Sequence, residues 1–324
     1  MGKQPLLSII TTSYTMERLE DIFELVDSVK AQSYPNIETI FVAERSKELC
    51  ERVRAYTQEK AIPNMVVVFN DGESGLSVAR NLGIKHARGD IVAFVDDDVV
   101  LFPDWAEEMV KAHENGSVVI GVTGPAFPLW EDESLQWLPE EFYWLVSCIG
   151  WTGWTETCIV RGTFGANMAF KREAFHDGCL FSPNAGYAQA HHYQPVSDDL
   201  EFSLRVRRRT GRPIIFSPSP RVWHRVYKNR LGWRYITAKS QEVGRCRRIL
   251  RKYYADEFGS LEQEQRVLKG TLRLLVGIPK EFFTKPRLAW KKLSLIFVVL
   301  ISITVGYLVP APLYSPIKQK GGVN

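Results

Sequence analysis

Cysteine is scarce: five in 324 residues (Cys50, Cys148, Cys158, Cys179, Cys246), odd in number, scattered, and without a Cys-X-X-Cys pair. That excludes a disulfide scaffold and offers neither a zinc cluster nor a redox dithiol, so the five read as reduced thiols in a cytosol-facing protein. Glycine and proline are not inflated, and 45% of the chain is hydrophobic, which excludes a collagenous or disordered polymer. The first ten residues hold no apolar run of signal-peptide length, and Leu6 breaks the myristoylation pattern that Gly2 begins, so no export or acylation signal is expected there. A glycine-rich, lysine-bearing phosphate loop is also missing from the front of the chain, which argues against a nucleotidyltransferase. The length suffices for one large domain with an appendage, or for two domains.

Acid is what one segment lacks. Between Arg205 and Lys252, sixteen Lys or Arg stand against the single acid Glu242, a balance of +15 in a chain of net charge +4, so the remainder carries −11. Such a segment seeks phosphate on a nucleotide, a phospholipid surface or a nucleic acid, or else forms a solvated, Arg-rich helical face. No groove-reading or base-stacking motif accompanies it, so nucleic acid is not an expected partner.

What is present is alternation. Short β-branched runs at 6–12, 38–43, 66–69 and 91–95 alternate with helical periodicity at 19–31, 47–56, 76–86 and 104–114. This predicts an α/β domain with a mostly parallel central sheet and helices on both faces. A further apolar strand is expected over 116–128. Ligands of such sheets sit beyond the carboxyl ends of the strands. The polar residues there are Thr12, Ser13 and Tyr14, then Glu44, then Asp71, then Asp96, Asp97 and Asp98. Three adjacent carboxylates at the end of a buried strand repel one another unless a cation or proton intervenes. Magnesium or manganese, which take hard oxygen ligands, suit that need; a solvated acidic turn capping the helix near Asp104 is the plainer alternative.

Five tryptophans (Trp130, Trp137, Trp144, Trp151, Trp154) crowd a 25-residue stretch, as a sugar-stacking platform, a lipid interface or core filler. A glycine-hinged loop and strand follow at 162–170. Further on, Ser197-Asp198-Asp199 precedes an amphipathic helix over 200–209, whose N-terminus keeps an aspartate ionised while it also caps the helix.

Six elements taken in order resemble family 2 glycosyltransferases of the GT-A fold: Thr11-Thr12-Ser13-Tyr14; Ala79-Arg80-Asn81 with Gly83; Phe94-Val95-Asp96-Asp97-Asp98; Gly165-Ala166-Asn167-Met168-Ala169-Phe170; Asp198-Asp199; and His224. The stretch from Leu138 to Val146 is similar to archaeal-type enzymes that extend a sugar on a dolichyl phosphate carrier, glucosyl-dolichyl phosphate glucuronosyltransferases among them. The resemblance implies that Thr12 and Tyr14 frame the nucleotide and that Arg80 lies near its diphosphate. Glu44, Asp71, Asp96 and Asp97 fall with the nucleotide-sugar contacts. Asp96 and Asp98 bracket the Asp-X-Asp signature, with Asp98, Asp96 and His224 as metal ligands, although a histidine beside Trp223 is by itself more often a packed side chain. Asp199 takes the place of the catalytic base, with Asp198 where the family more often has glutamate. The chain departs from the pattern at Ala43-Glu44-Arg45-Ser46, where Asp-Asp-Gly-Ser is common. The Gln-X-X-Arg-Trp signature of processive synthases is also missing at Arg230-Leu231-Gly232-Trp233, which implies one sugar per encounter.

Residues 293–309 carry no charge over seventeen positions, about 26 Å of helix, flanked by Trp290 and Tyr307 and stopped by Pro310 and Pro312. The excess of Lys and Arg before this run over Lys318 and Lys320 after it places the large domain on the cytoplasmic side of a single-pass segment; a buried amphipathic or re-entrant helix is the alternative. Residues 267–283 suit a helix lying in the interface. The expected organisation is a catalytic domain at 1–230, a basic amphipathic region at 231–284, and a membrane segment with a short tail at 285–324. The expected activity is inverting transfer from a UDP-sugar, with Mn2+ or Mg2+, to a lipid-linked sugar at the membrane. The alternatives are a polysaccharide-building transferase with another donor, or a non-catalytic nucleotide-sugar-binding protein. If the donor sugar is glucuronate, its carboxylate needs a cation such as Arg161, Lys171 or Arg172.

Overall fold

The computed structural model describes residues 4–114, 118–149, 154–186, 196–259 and 262–309. Its first half follows the expected alternation: β1 (Leu7–Ser13), α1 (Leu19–Lys30), β2 (Ile37–Glu44), α2 (Lys47–Glu59), β3 (Met65–Asn70), α3 (Leu76–His86), β4 (Ile91–Val95), β5 (Val99–Leu101) and α4 (Trp105–Glu114). The second half is more broken: β6 (Gly121–Thr123), β7 (Ala126–Trp130), β8 (Cys158–Val160), β9 (Asn167–Lys171), α5 (Asp198–Thr210), β10 (Ile214–Phe216) and β11 (Val222–Val226). Four helices close the described chain: α6 (Trp233–Tyr253), α7 (Ala255–Phe258), α8 (Glu262–Thr284) and α9 (Pro286–Leu308).

Eight strands form one sheet in the order β3-β2-β1-β4-β9-β6-β10-β8. The first four run parallel, with Leu7 opposite both Ile37 and Ile91, while β9 runs antiparallel between β4 and β6. Alternate side chains of each strand serve opposite faces. Leu7, Ile9, Ala93 and Val95 pack with Leu25, Trp105 and Met109 on one side. Ile10, Val92 and Phe94 pack with Ala79, Ile84, Phe202 and Val206 on the other. Because β1 to β4 are parallel, their carboxyl ends, and the residues just past them, share one edge of the sheet.

A second sheet, β5-β11-β7, does the positioning. The single strand expected over 116–128 is instead two strands in different sheets. They part at Gly124-Pro125, where proline has no N–H for a ladder and a Cβ on Gly124 would lie 2.1 Å from the Pro220 carbonyl oxygen. β11 pairs antiparallel with β5, so His224 stands opposite Val99, the residue after Asp98, and the Arg225 N–H donates to the Asp98 carbonyl at 2.9 Å.

The C-terminal helices pack on this body. An 18-residue window of α9 has mean hydropathy 1.9, so by length and composition the helix is long and apolar enough to cross a membrane. Its face Ala289, Leu295, Ile296 and Val299 is buried with Phe142, Leu145, Ile236 and Ile278. Trp130, Trp137 and Trp144 pack against the same cluster, Trp154 packs on Phe164 and Phe216, and Trp151 lies outside the described residues.

Candidate active site

A cavity of about 980 Å³ opens at the carboxyl edge of the sheet. Thr12, Tyr14, Glu44, Arg80, Asp96, Asp97, Asp98, Asp198, Asp199 and His224 all line it, brought there from β1, β2, α3, β4, α5 and β11. Asp98 and Asp199, a hundred residues apart, therefore face one space. Asp71 does not line it. It is exposed beyond β3, the edge strand, where Asn70 ties the turn by accepting from the Gly72 N–H at 3.2 Å.

Ligand atoms of Asp96, Asp98 and His224 lie within 4.8 Å of one another. Two observations test whether they suit a cation. Asp98 Oδ1 is buried and has no hydrogen-bond partner among the described residues, although His224 Nε2 stands 3.3 Å away. Burial holds the His224 ring below its ordinary pKa, more strongly than the Asp98 charge raises it, so the ring is neutral. Burial likewise keeps Cys148 a thiol. Its S–H donates to the Val146 carbonyl at 3.6 Å, which makes the sulfur the acceptor for His224 Nδ1–H at 3.8 Å. We assign the Nδ1–H tautomer on that basis; the Nε2 lone pair then faces Asp98 Oδ1 and also accepts, at 3.5 Å, from the Arg230 guanidinium. Two carboxylates and an imidazole lone pair form a donor set for a hard divalent cation.

Arginines hold the acids in place. Arg230 donates to Asp98 Oδ2 at 2.8 Å, Arg18 stands 3.4 Å from the same oxygen, and Arg18 also forms a short ion pair with Asp97. Burial pushes Asp97 up to about 6, with Arg18 opposing the shift and Asp98 adding to it. Arg80, itself buried, reaches Asp198 at 2.6 Å, Asp96 at 3.2 Å and the Gly165 carbonyl at 3.3 Å, and so links the Asp-X-Asp segment to the start of α5. Burial raises Asp198, with Arg80 pulling against it. Glu44 accepts from the Gly75 N–H at 3.0 Å, and its own burial raises its pKa.

Asp199 is oriented by backbone and hydroxyl. Its Oδ2 accepts from the Gly165 N–H at 2.8 Å, and its Oδ1 from the Leu200 N–H at 2.7 Å and from the Ser197 hydroxyl. A carboxylate has about four lone-pair sites, so three are engaged and, among the described residues, one on Oδ2 stays open. Gly165 is closely hemmed in: a Cβ there would lie 3.2 Å from an Arg80 guanidinium nitrogen, a tight contact, and 3.5 Å from Asp199 Oδ2.

Several lining residues carry no motif of their own. Arg18 follows β1 in a single 3-10 turn, Arg230 sits in another after β11, and Lys239 and Glu242, paired at 2.9 Å, lie on α6. The basic composition of 205–252 is the one signal that pointed toward Arg230 and Lys239. Arg161 lines the cavity but is bidentate to Glu264, at 2.8 and 3.0 Å, and lies over the Phe258 ring. Lys171 and Arg172 are at the opposite edge of the sheet. Because β9 is antiparallel to β4, Lys171 pairs with Ile91, and Arg172 donates to the Gly89 carbonyl.

Known proteins can be compared with this geometry. Residues 8–178 match the profile of Glycosyl transferase family 2. The Glucosyl-dolichyl phosphate glucuronosyltransferase of Haloferax volcanii is 30% identical over 303 residues, 93% of this chain and 95% of that protein. Among solved structures, the mannosyltransferase PcManGT from Pyrobaculum calidifontis, in complex with GDP-Man and Mn2+, superposes with a TM-score of 0.62 at 18% identity, over 95% of this chain and 88% of that one. S. aureus TarS 1–349, in complex with UDP-GlcNAc, superposes with 0.53 at 13% identity, over 93% and 90%. The fold is GT-A, and the chain belongs to glycosyl transferase family 2 and is a glycosyltransferase.

Proposed function

We propose that the enzyme moves a sugar, with inversion, from a UDP-linked donor to a saccharide carried on a dolichyl or polyprenyl phosphate. We take glucuronate as the sugar and manganese or magnesium as the metal. The observation that carries this reading is the composition of the one cavity. Its lining carries Asp96, Asp98, His224 and Asp199 together with the cations Lys239, Arg247 and Arg266 and the aliphatic Val243, Val267 and Ile303. Cations interleaved with aliphatic side chains are what a phosphate bearing a hydrocarbon tail requires. The relative from Haloferax volcanii, named for the same chemistry and matched nearly end to end, supports the acceptor class.

The residues divide the work. Tyr14 and Thr12 flank the place of the nucleotide, and Arg80 and Arg230 supply fixed positive charge where the diphosphate departs. Asp96, Asp98 and His224 would hold the divalent cation, which when bound would supply Lewis-acid neutralisation of that diphosphate. Asp199, with its open lone pair on Oδ2, accepts the proton of the attacking hydroxyl, which contributes typically 10²–10⁴-fold. Asp198 is a positioning residue, held by Arg80. We place the enzyme at the cell membrane, with its catalytic domain on the cytoplasmic side, where its five free cysteines stay reduced.

The test is to give the purified protein a panel of UDP-sugars, Mn2+ and a dolichyl-phosphate-linked monosaccharide, and to follow the lipid product by mass spectrometry. Mass gain of one hexuronate on the lipid is the expected result. Equal turnover with the free monosaccharide would overturn the carrier assignment, and product with a different sugar only would overturn the donor assignment.

A further inference from the structure

The packing of α9 opposes a crossing. α6 is fixed to the catalytic body at both ends: Ile236 clusters with Val226 and Leu231, and Cys246, Ile249 and Leu250 with Ala185, Val196 and Leu204. α9 runs beside α6 at backbone contact. A Cβ on Gly306 would lie 2.1 Å from the Gln241 carbonyl oxygen, and one on Gly244 2.2 Å from that of Ile303. Arg248 of α6 donates to the carbonyls of Tyr307, Leu308 and Val309 at 3.4, 3.2 and 3.0 Å, closing the C-terminal end of α9. Ala289, Leu295, Ile296 and Val299 are buried against the segment holding Phe142 and Leu145. The helix therefore lies along the body over its whole length. To cross a bilayer it would have to carry α6, with Arg245, Arg247, Arg248, Arg251 and Lys252, into hydrocarbon, where each charge is costly.

Its other face has a different character. Leu268, Leu272 and Val276 of α8 are 52%, 52% and 78% exposed at a spacing of four, and Phe283 is 91% exposed. Trp290, Phe297, Ile301 and Leu308 of α9 are exposed as well. Lys269, Arg273, Lys280, Lys285 and Arg287, all exposed, stand among them. An apolar stripe in which cations are set matches a leaflet whose headgroups are anionic.

We propose that α8 and α9 lie in the plane of one anionic lipid leaflet as a monotopic anchor, and that neither helix crosses the bilayer. The inference rests on the membrane association proposed above. Its functional consequence is direct: Arg266 and Val267 of α8 and Ile303 of α9 line the cavity, so a lipid-borne acceptor reaches Asp199 without leaving its leaflet.

Flotation of the purified full-length protein with phosphatidylcholine vesicles, with and without 25% phosphatidylglycerol (a test composition of roughly one anionic lipid in four), examines the association. Binding to the anionic vesicles is expected, and failure to float overturns the association itself. Val276→Glu with Phe283→Glu, both on the exposed stripe, weakens that binding by about a hundredfold or more while the melting temperature holds. If these changes instead dissociate a dimer and leave flotation intact, the stripe is a contact between copies and the proposal falls. Topology is read separately. In sealed inverted vesicles of an expression host, in a Cys158→Ser background, Lys285→Cys and Gln319→Cys are both labelled by a membrane-impermeant maleimide without detergent. A Gln319→Cys protein labelled only after detergent overturns the in-plane geometry and leaves the association standing.

Discussion

Replacing Asp199 with Asn removes one proton acceptor and changes little else near the donor. The carboxylate now accepts from Gly165 N–H, Leu200 N–H and the Ser197 hydroxyl. An amide sets its NH2 against one of these donors in either orientation, which costs about 1–3 kcal/mol of stability for the displaced hydrogen bond. The loss in turnover is larger. General-base catalysis is worth typically 10²–10⁴-fold, which at about 1.36 kcal/mol per tenfold corresponds to roughly 2.7–5.4 kcal/mol of activation free energy. Asp96, Asp98 and His224 keep their grouping and Arg80 keeps Asp198, so donor affinity should hold within about threefold. Single-turnover transfer to the lipid-linked acceptor and calorimetric titration with UDP-sugar and Mn2+ measure the two quantities. A variant that turns over within threefold of the parent, at unchanged donor affinity, refutes the assignment of Asp199 as base.

Three further outcomes follow from other contacts. Arg80→Ala strips the compensating charge from buried Asp198 and from Asp96, so thermal or denaturant melting should show about 3–5 kcal/mol of lost stability; an unchanged midpoint contradicts the role of Arg80 as the link between the two acidic segments. Cys148→Ala removes the sulfur that accepts from His224 Nδ1–H and orients the ring, and Mn2+ affinity measured by calorimetry should fall about 10–100-fold with the fold intact. Glu38, at the opposite edge of the sheet, gives a pH signature. Burial alone would raise its pKa, but hydrogen bonds from Ser8 and Arg88 outweigh burial and hold it below the ordinary value. Its contribution is therefore complete above the unfolded-state pKa of about 4.3 and is lost as pH falls through the folded-state value. Glu38→Gln should cost about 1.5–3 kcal/mol at neutral pH, and the two stability curves should converge at the acid end.

The first half of the fold was legible because each parallel strand is a continuous apolar run followed by a helix, and the run 91–95 ending in three carboxylates marks the site by itself. Strands of three residues such as β5 leave no periodicity to read, and β5 is the strand that β11 pairs with to bring His224 beside Asp98. Arg18 and Arg230 sit in single 3-10 turns, so nothing in their neighbours announced that they hold Asp97 and Asp98. The rule that ligands gather past strand ends selects Asp71 as readily as Asp96, since it does not distinguish an edge strand from a central one. The apolar run near 293–309 was visible from composition, whereas the glycines that let α9 lie at backbone contact with α6 gain meaning only from the packing.

On the proposed mechanism one cavity holds a metal-bound donor and a base on opposite sides of the reacting carbon. A crystal structure of the protein with UDP-sugar and Mn2+, its metal located by anomalous scattering, measures this directly. Mn2+ is expected among Asp96, Asp98 and His224, with the anomeric carbon of the sugar presented toward Asp199 Oδ2. A metal bound elsewhere, or a sugar whose anomeric carbon faces away from Asp199, would contradict it.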